Sequence, residues 1–365
     1  MTRDEGEPSH KVAPFQNGIQ GLEAGLCATL DRPYGNAYSF LPGKIHHPGP
    51  DEALVRLDYS GVCHGDVYGR DGGGPAPAQP QRPLIGGHEG VGMIIALGGN
   101  MSKHLGFEPG QTVGVAWRSN VCGTCDACRA GAENHCSSQK IVGMHRPGTF
   151  QHQLVRIPHS LNGAATCPIL CAGVTAFAAI RMLEPEAGKW CVVAGAAGGV
   201  GHLAIQYAKK VFGLRVLAID GGNPGKEAFC KNEGADEYVD FVDAGEDLVH
   251  IVREKTQGGA DYVLVLSPVQ SAYNAAGEFT RFRAKVMAVG IGNCHMPLRP
   301  ILRKDLTIRS HETGTKKDIE DALQYSASGL IRCRIEVLKL NDLNKALDRL
   351  KGGQVQGKLV LDLRS

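Results

Sequence analysis

The chain changes texture near its middle. From Leu22 to about Pro158, short runs alternate apolar with polar positions and are broken repeatedly by Gly and Pro. Examples are Ala53-Leu-Val-Arg-Leu-Asp-Tyr59, Val91-Gly-Met-Ile-Ile-Ala-Leu97 and Thr112-Val-Gly-Val-Ala-Trp117. Alternation on this scale predicts short strands in a β-rich, loop-rich domain. The segment 71–83 carries Pro and Gly at a density that sustains neither helix nor ladder, so it is expected to be a loop. Beyond about Cys171, short apolar runs occur at Trp190–Ala194, Leu214–Ile219, Glu237–Asp240, Asp261–Leu266, Lys285–Val289 and Asp305–Ile308. Between them, Gly201–Phe212 and Asp247–Lys255 repeat with helical spacing. Strands joined by helices predict a doubly wound parallel sheet, an α/β architecture. A helix from Lys316 and a final strand, Lys358–Leu363, are assigned back to the first domain. The expected division is residues 1–21 as an N-terminal extension, 22–171 with 311–365 as the β-rich domain, and 172–310 as the α/β domain.

Composition narrows the function classes. The 365 residues are 42 % hydrophobic and 21 % charged, which excludes a wholly disordered chain. A net charge of +2 gives no basic face for nucleic acid. Met1–Lys11 has no apolar core of the kind a signal peptide needs, and the apolar stretch Ala164–Ile180 is interrupted by Pro168 and too short to span a bilayer. The expectation is a cytoplasmic protein with no membrane partner. In that setting the 12 cysteines point to metal ligands and buried thiols before disulfides.

Three constellations carry chemistry. Cys122, Cys125, Cys128 and Cys136 stand in a turn-rich loop with spacings that let successive sulfurs face one ion. Four thiolates suit a closed structural zinc site that does no chemistry itself. Four unrelated thiols or an iron–sulfur cluster are the alternatives, although no Cys-Pro ferredoxin context follows. Gly195-Ala-Ala-Gly198-Gly199-Val200-Gly201 follows a strand and opens a helix. It departs from strict G-x-G-x-x-G, yet small residues still allow a tight turn with amides facing a pyrophosphate. Asp220 ends the next strand, where a carboxylate accepts from ribose hydroxyls and repels a 2′-phosphate, favouring NAD over NADP. Finally, Cys63, His88 and Cys171 make a suitable open zinc set, but their separation is not a local motif. A pair of buried cysteines with a satisfied histidine would read the same way.

In combination these residues resemble the zinc-containing medium-chain alcohol dehydrogenases, in particular their yeast-type fungal branch. The resemblance runs from about Leu22 to Ser365. It rests on Ser60-Gly-Val-Cys-His64, Gly86-Gly-His-Glu-Gly90, the four-cysteine lobe, Pro168-Ile-Leu-Cys-Ala-Gly173, Gly195–Gly201, Ile219-Asp-Gly-Gly222 and the ending Gly353–Asp362. It implies a GroES-like catalytic domain, a Rossmann domain and an active-site cleft between them. It further implies that Cys63, His88 and Cys171 hold a catalytic zinc, bringing zinc to two ions per chain. By the same resemblance Glu89 is a transient ligand and Asp66 orients the ligand histidine. His64 and Lys358 contact the coenzyme pyrophosphate, with Lys where the family more often has Arg. Lys226 and Asp220 contact the adenosine ribose, Thr175 and Val289 the nicotinamide, and Trp117 walls the substrate pocket. Hydride would pass between NAD(H) and a small-molecule alcohol or aldehyde, with zinc polarising the oxygen. A homo-oligomer, tetramer or dimer, is expected by analogy.

Three positions depart from that pattern. Gly65 stands where relatives carry Ser or Thr to pass the alcohol proton outward. Tyr68 stands where yeast-type enzymes end that relay with His. Either a water fills the gap at Gly65, or Tyr68 or the substrate's own hydroxyl replaces the relay. Gly74 lies near where a Trp usually closes the pocket on ethanol, which favours a bulkier substrate such as a fungal secondary-metabolite intermediate. The alternatives are a redox-neutral isomerisation or cyclisation on the same scaffold, or an inert zinc- and NAD-binding protein.

Overall fold

The computed structural model describes residues 26–364 apart from 31–33, 43–46, 73–82, 146–147, 149, 152–154, 159, 162 and 292–294. The expectations for residues 1–21 and for Gly74 therefore lie outside the described residues.

The expected doubly wound sheet is present. Its strands run in the order Glu237–Asp240, Arg215–Asp220, Trp190–Ala194, Ala260–Val265, Thr280–Ala288, Thr307–Ser310, all parallel. Numbered by appearance this is 3-2-1-4-5-6, whose order reverses at the first strand and opens a crevice beyond its carboxyl end. The apolar runs are continuous because helices cover both faces. Val192, Val263, Leu264 and Val286 are fully buried, each contributing roughly 1.5–3 kcal/mol of apolar burial.

Three expected elements differ in extent, one of them the sixth strand, expected over Asp305–Ile308 and found over Thr307–Ser310. The helix after the glycine turn is α-helical over Gly201–Gln206 and continues as a wider π-type turn, Tyr207–Val211. The fifth strand begins at Thr280, ahead of the apolar run at Lys285, through a lead of half-buried Arg281 and exposed Phe282 and Arg283 that breaks the apolar pattern. Phe282 is turned outward, and Arg283 takes a left-handed φ of 58°.

The β-rich part centres on Ala53–Val62. It pairs antiparallel with Gly90–Leu97, which pairs in turn with Thr112–Val115. On its other side runs Lys358–Asp362, antiparallel, with Leu359 opposite Val62. Ile335–Lys339 completes that edge in parallel. The last strand thus lies one residue from Cys63. The apolar stretch flagged in the sequence forms a 3₁₀ segment, Ala164–Leu170, and a helix, Ala172–Arg181, meeting at 43°. Every residue of that helix except Arg181 is buried, because it packs into the core cluster that also holds Leu203, Ile205 and Ile319. Among the described residues no single helix is long and apolar enough to cross a membrane.

Candidate active site and metal centres

Cys63 ends the central strand and precedes the helix His64–Asp71. Asp66, in the first turn, folds back so that its Oδ2 accepts from the Cys63 amide at 2.9 Å. Its other oxygen accepts from the Gly87 amide at 3.2 Å and faces His88 Nδ1 at 3.3 Å. An ionised carboxylate only accepts, so Nδ1 carries the proton and Nε2 presents its lone pair. His88 Nε2 is buried without a hydrogen-bond partner. Burying an unsatisfied nitrogen costs about 1–3 kcal/mol, which asks for a ligand.

That ligand space is defined by its neighbours. One atom each of Cys63, His88, Glu89 and Cys171 lies within 4.8 Å of all the others. Cys171, about a hundred positions away, arrives at the junction between the 3₁₀ segment and the helix Ala172–Arg181. Two sulfurs, an imidazole nitrogen and a nearby carboxylate suit zinc with one position free for exchange. The orphaned nitrogen and this donor set fit such an ion. The Cys171 side-chain contact, with Lys358 and His88, draws Cys63 well below the usual thiol value, while Cys171 is pushed up. One thiol of the pair is thus primed as thiolate, the form a metal takes.

The second cluster brings the sulfurs of Cys122, Cys125, Cys128 and Cys136 within 4.8 Å of one another. The Cys125 amide donates to Cys122 Sγ at 3.3 Å and the Cys122 amide to Cys136 Sγ at 3.4 Å. Hydrogen bonds from Thr124 and Cys125 draw Cys122 down to about 6. Four sulfurs leave no open coordination position, so this cluster holds a loop together.

The coenzyme side is equally built. Gly195 turns the chain with φ +88°. A Cβ on Gly201 would overlap the carbonyls of Gly195 and Ala196, so only Gly lets the helix start this close to the strand. Gly198, Gly199 and Val200 stay partly exposed between them. Asp220 accepts from the Ala197 amide, the Gly221 amide and Lys226 Nζ at 2.8, 2.9 and 2.8 Å. Beside it a cavity of about 520 Å³ is lined by Asp220, Lys226, Phe241, Gly353 and Gln354, among others. Gly353 and Gln354 belong to the ending that carries the resemblance, though the sequence assigned them no place here, and Phe241 was not singled out at all. They come from distant segments, brought together only by the fold.

Around the metal cluster, Thr175 Oγ1 donates to the Cys171 carbonyl at 2.6 Å. Val289 follows the fifth strand, and its amide donates to the Val265 carbonyl at 3.0 Å. His64 is exposed, with its ring centroid 5.9 Å from that of Tyr68. Trp117 stands edge-on to His88, 4.5 Å between centroids and 81° between planes. Its ring also closes the space beside Gly65. A Cβ there would lie 3.2 Å from Trp117 Cζ3 and 3.1 Å from His88 Cε1. Tyr68 does not face that gap. Its hydroxyl donates to the Ile291 carbonyl at 3.0 Å, and burial pushes its pKa up.

Comparison with known proteins agrees with this geometry. Residues 49–162 match the alcohol dehydrogenase GroES-like domain, and residues 199–328 match the zinc-binding dehydrogenase family. The chain is 34 % identical over 338 residues to Alcohol dehydrogenase 1 of Emericella nidulans, covering 89 % of this chain and 94 % of that protein. The crystal structure of an alcohol dehydrogenase from the hyperthermophilic archaeon Aeropyrum pernix superposes with a TM-score of 0.83 at 26 % identity, over 92 % of this chain and 99 % of that one. A structure described as an NAD-dependent alcohol dehydrogenase does so with a TM-score of 0.83 at 27 % identity, covering 93 % and 99 %.

Proposed function

The chain belongs to the zinc-containing medium-chain alcohol dehydrogenases, and from that membership we propose that it moves hydride between NAD(H) and an alcohol or aldehyde bulkier than ethanol. The observation that carries the reading is the Cys63–His88–Cys171 cluster with His88 Nε2 unpartnered. When bound, zinc supplies Lewis acidity to the substrate oxygen, and the nicotinamide supplies or accepts hydride.

The chain's own residues do the rest. Cys63, His88 and Cys171 hold the ion, and Asp66 fixes the tautomer and orientation of His88. The turn Gly195–Gly201 and His64 receive the pyrophosphate, Asp220 and Lys226 the ribose, and Thr175 and Val289 the nicotinamide face. Trp117 and His88 crowd Gly65, where an added Cβ would lie 3.2 and 3.1 Å from their rings. Tyr68 is a hydrogen-bond donor with a raised pKa, so it suits a clasp on the segment after Val289 better than a proton acceptor. The proton is then left to a water beside Gly65 or to a hydroxyl of coenzyme or substrate. Trp117 is taken as one wall of the pocket, and Gly74, a glycine where the resemblance leads one to expect a bulky residue, is what motivates the larger substrate.

We also assign residues 22–171 with 311–365 to one domain and 172–310 to the other, supported by the pairing of the last strand with Ala53–Val62. Two zinc ions per chain and a homo-oligomer complete the proposal, checked by metal analysis and light scattering. The deciding experiment is steady-state kinetics followed by NADH absorbance over alcohols of graded size. A kcat/KM that peaks on bulky alcohols supports the reading. A peak at ethanol rejects the substrate assignment, and substrate conversion without any NADH change rejects the reaction.

A further inference from the structure

Arg118 follows Trp117 and opens the short strand Arg118–Asn120, with only 9 % of its surface exposed. A guanidinium this deep must find acceptors for its N–H groups. It finds them in the chain that leads from the last strand of the parallel sheet, Thr307–Ser310, to the helix Lys316–Ala327. Nη1 donates to Thr313 Oγ1 at 2.5 Å, and Nη2 donates to the Gly314 carbonyl. Both acceptors are neutral, and bonds from a charged donor are the stronger kind.

The segment is strained where Arg118 grips it. Thr313 takes a left-handed φ of 53° although it is β-branched, a conformation that persists only when the surroundings enforce it. Gly314, which could adopt it freely, does not. That glycine serves close approach instead, since a Cβ there would lie 2.5 Å from Val174 Cγ2. The ends of the segment are held separately. The His311 amide donates to the Ala288 carbonyl at 3.1 Å, and the Thr315 amide donates to Asp318 Oδ2 at 2.9 Å where the next helix begins. Residues 311–314 therefore lie between Val174, beside Thr175, and Ala288, beside Val289. Thr175 and Val289 are the residues assigned above to the nicotinamide face.

We propose that Arg118 is a positioning residue for the nicotinamide: by holding Thr313 in its left-handed conformation, it keeps residues 311–314 seated between the two residues of the nicotinamide face. This rests on the dehydrogenase reading and adds to it a residue that touches neither metal nor coenzyme. Strain at Thr313 is stored locally, and the bonds from Arg118 offset it. Without them the segment relaxes, and the nicotinamide loses its fixed seat while the adenosine and pyrophosphate sites stay intact.

A guanidinium that merely ties the cysteine lobe to the core would weaken every part of coenzyme binding alike, which separates the two roles. On zinc-loaded, full-length protein, calorimetry gives dissociation constants for NADH and for ADP-ribose, which lacks the nicotinamide. The proteins compared are wild type, Arg118→Met, Arg118→Lys, Thr313→Val, Thr313→Gly and the double variant Arg118→Met/Thr313→Gly, each checked for folding by circular dichroism. Arg118→Met should weaken NADH about tenfold, the scale of one strained residue losing its support, and leave ADP-ribose unmoved. Arg118→Lys, which keeps a charged donor, should recover part of that loss. In the Thr313→Gly background the same Arg118→Met change should cost less than about twofold, because glycine takes a left-handed φ unaided. Thr313→Val keeps the strain and removes one acceptor, so it should weaken NADH with the same selectivity even if Arg118→Met fails to fold. Equal losses for NADH and ADP-ribose, a tenfold loss that persists in the glycine background, or unchanged NADH binding in folded Arg118→Met or Thr313→Val overturns the proposal. Failure of wild type to bind NADH overturns the dehydrogenase reading instead.

Discussion

At the scale of single residues, the site is a set of side chains whose hydrogen bonds are mostly spent on one another. Asp66 illustrates this, with one oxygen on the Cys63 amide and the other on His88 and Gly87. Asp66→Asn keeps the shape but loses the charge that fixes the imidazole. Zinc affinity should fall roughly 10–100-fold, read from chelator competition. Gly65 is the reverse case, a position emptied by its neighbours. Gly65→Ser places a Cβ a few tenths of an ångström too close to Trp117 and His88, so thermal unfolding should show a loss of about 1 kcal/mol from overpacking. Restored relay activity in that variant would contradict the closure of this space by Trp117. For Tyr68→Phe the raised pKa and the bond to Ile291 lead to a specific outcome. The pH–rate profile should keep its shape while the KM for NAD⁺ rises. Loss of a limb from that profile would return Tyr68 to the proton path.

Among the elements, the four-cysteine lobe is the least self-sufficient. Its only regular structure is a four-residue helix, Asp126–Arg129, and a 3₁₀ turn, Glu133–His135. Segments this short do not persist alone, so on the proposed second zinc site, metal binding and local folding become one equilibrium. Cys125→Ser should therefore expose residues 121–137 to limited proteolysis while the Rossmann sheet stays resistant. Equal resistance of the lobe in wild type and variant would mean that its neighbours, such as Glu133 bonded to the Lys316 amide at 2.8 Å, hold it unaided. The glycine turn depends on its sequence in a different way. There the helix start is pressed onto the preceding carbonyls at Gly201, and no metal or partner relieves a side chain at that point.

Across the whole molecule, two buried histidines link stability to pH. His202 accepts the Arg334 amide at Nε2 (3.2 Å) and its Nδ1 lies 3.0 Å from the Gly198 carbonyl, joining the helix after the glycine turn to the chain leading into the last strands. Burial draws both His202 and His311 down to about 4. Each is depressed below the unfolded value near 6.5, so the unfolded state binds more protons between the two. Their contribution is complete above about pH 7 and is lost as pH falls through 6.5 toward 4, at up to roughly 1.4 kcal/mol per pH unit for each. Unfolding midpoints measured from pH 7 to pH 5 should fall steeply, and His202→Gln should flatten that slope. A slope identical in the variant would remove His202 from the account.

The sequence alone determined the elements whose physics is local. Short apolar runs marked all six strands of the parallel sheet, though the fifth starts earlier, through half-buried Arg281 and exposed Phe282 and Arg283, and the sixth two residues later, at Thr307. The four cysteines were readable as a cluster because their spacing is short. Cys63, His88 and Cys171 were not, since spacing leaves them unconnected, and they were joined only through the resemblance to a family. Tertiary structure decided what depends on distant segments meeting. It brought the ending of the chain beside Cys63, set Lys358 between Gly199 and Glu89, filled the space at Gly65 with Trp117 and turned Tyr68 onto Ile291. Alternation and turn chemistry are written in neighbouring residues, whereas a side chain's partner across a cleft is fixed only when the core and the sheet edges have chosen which segments touch.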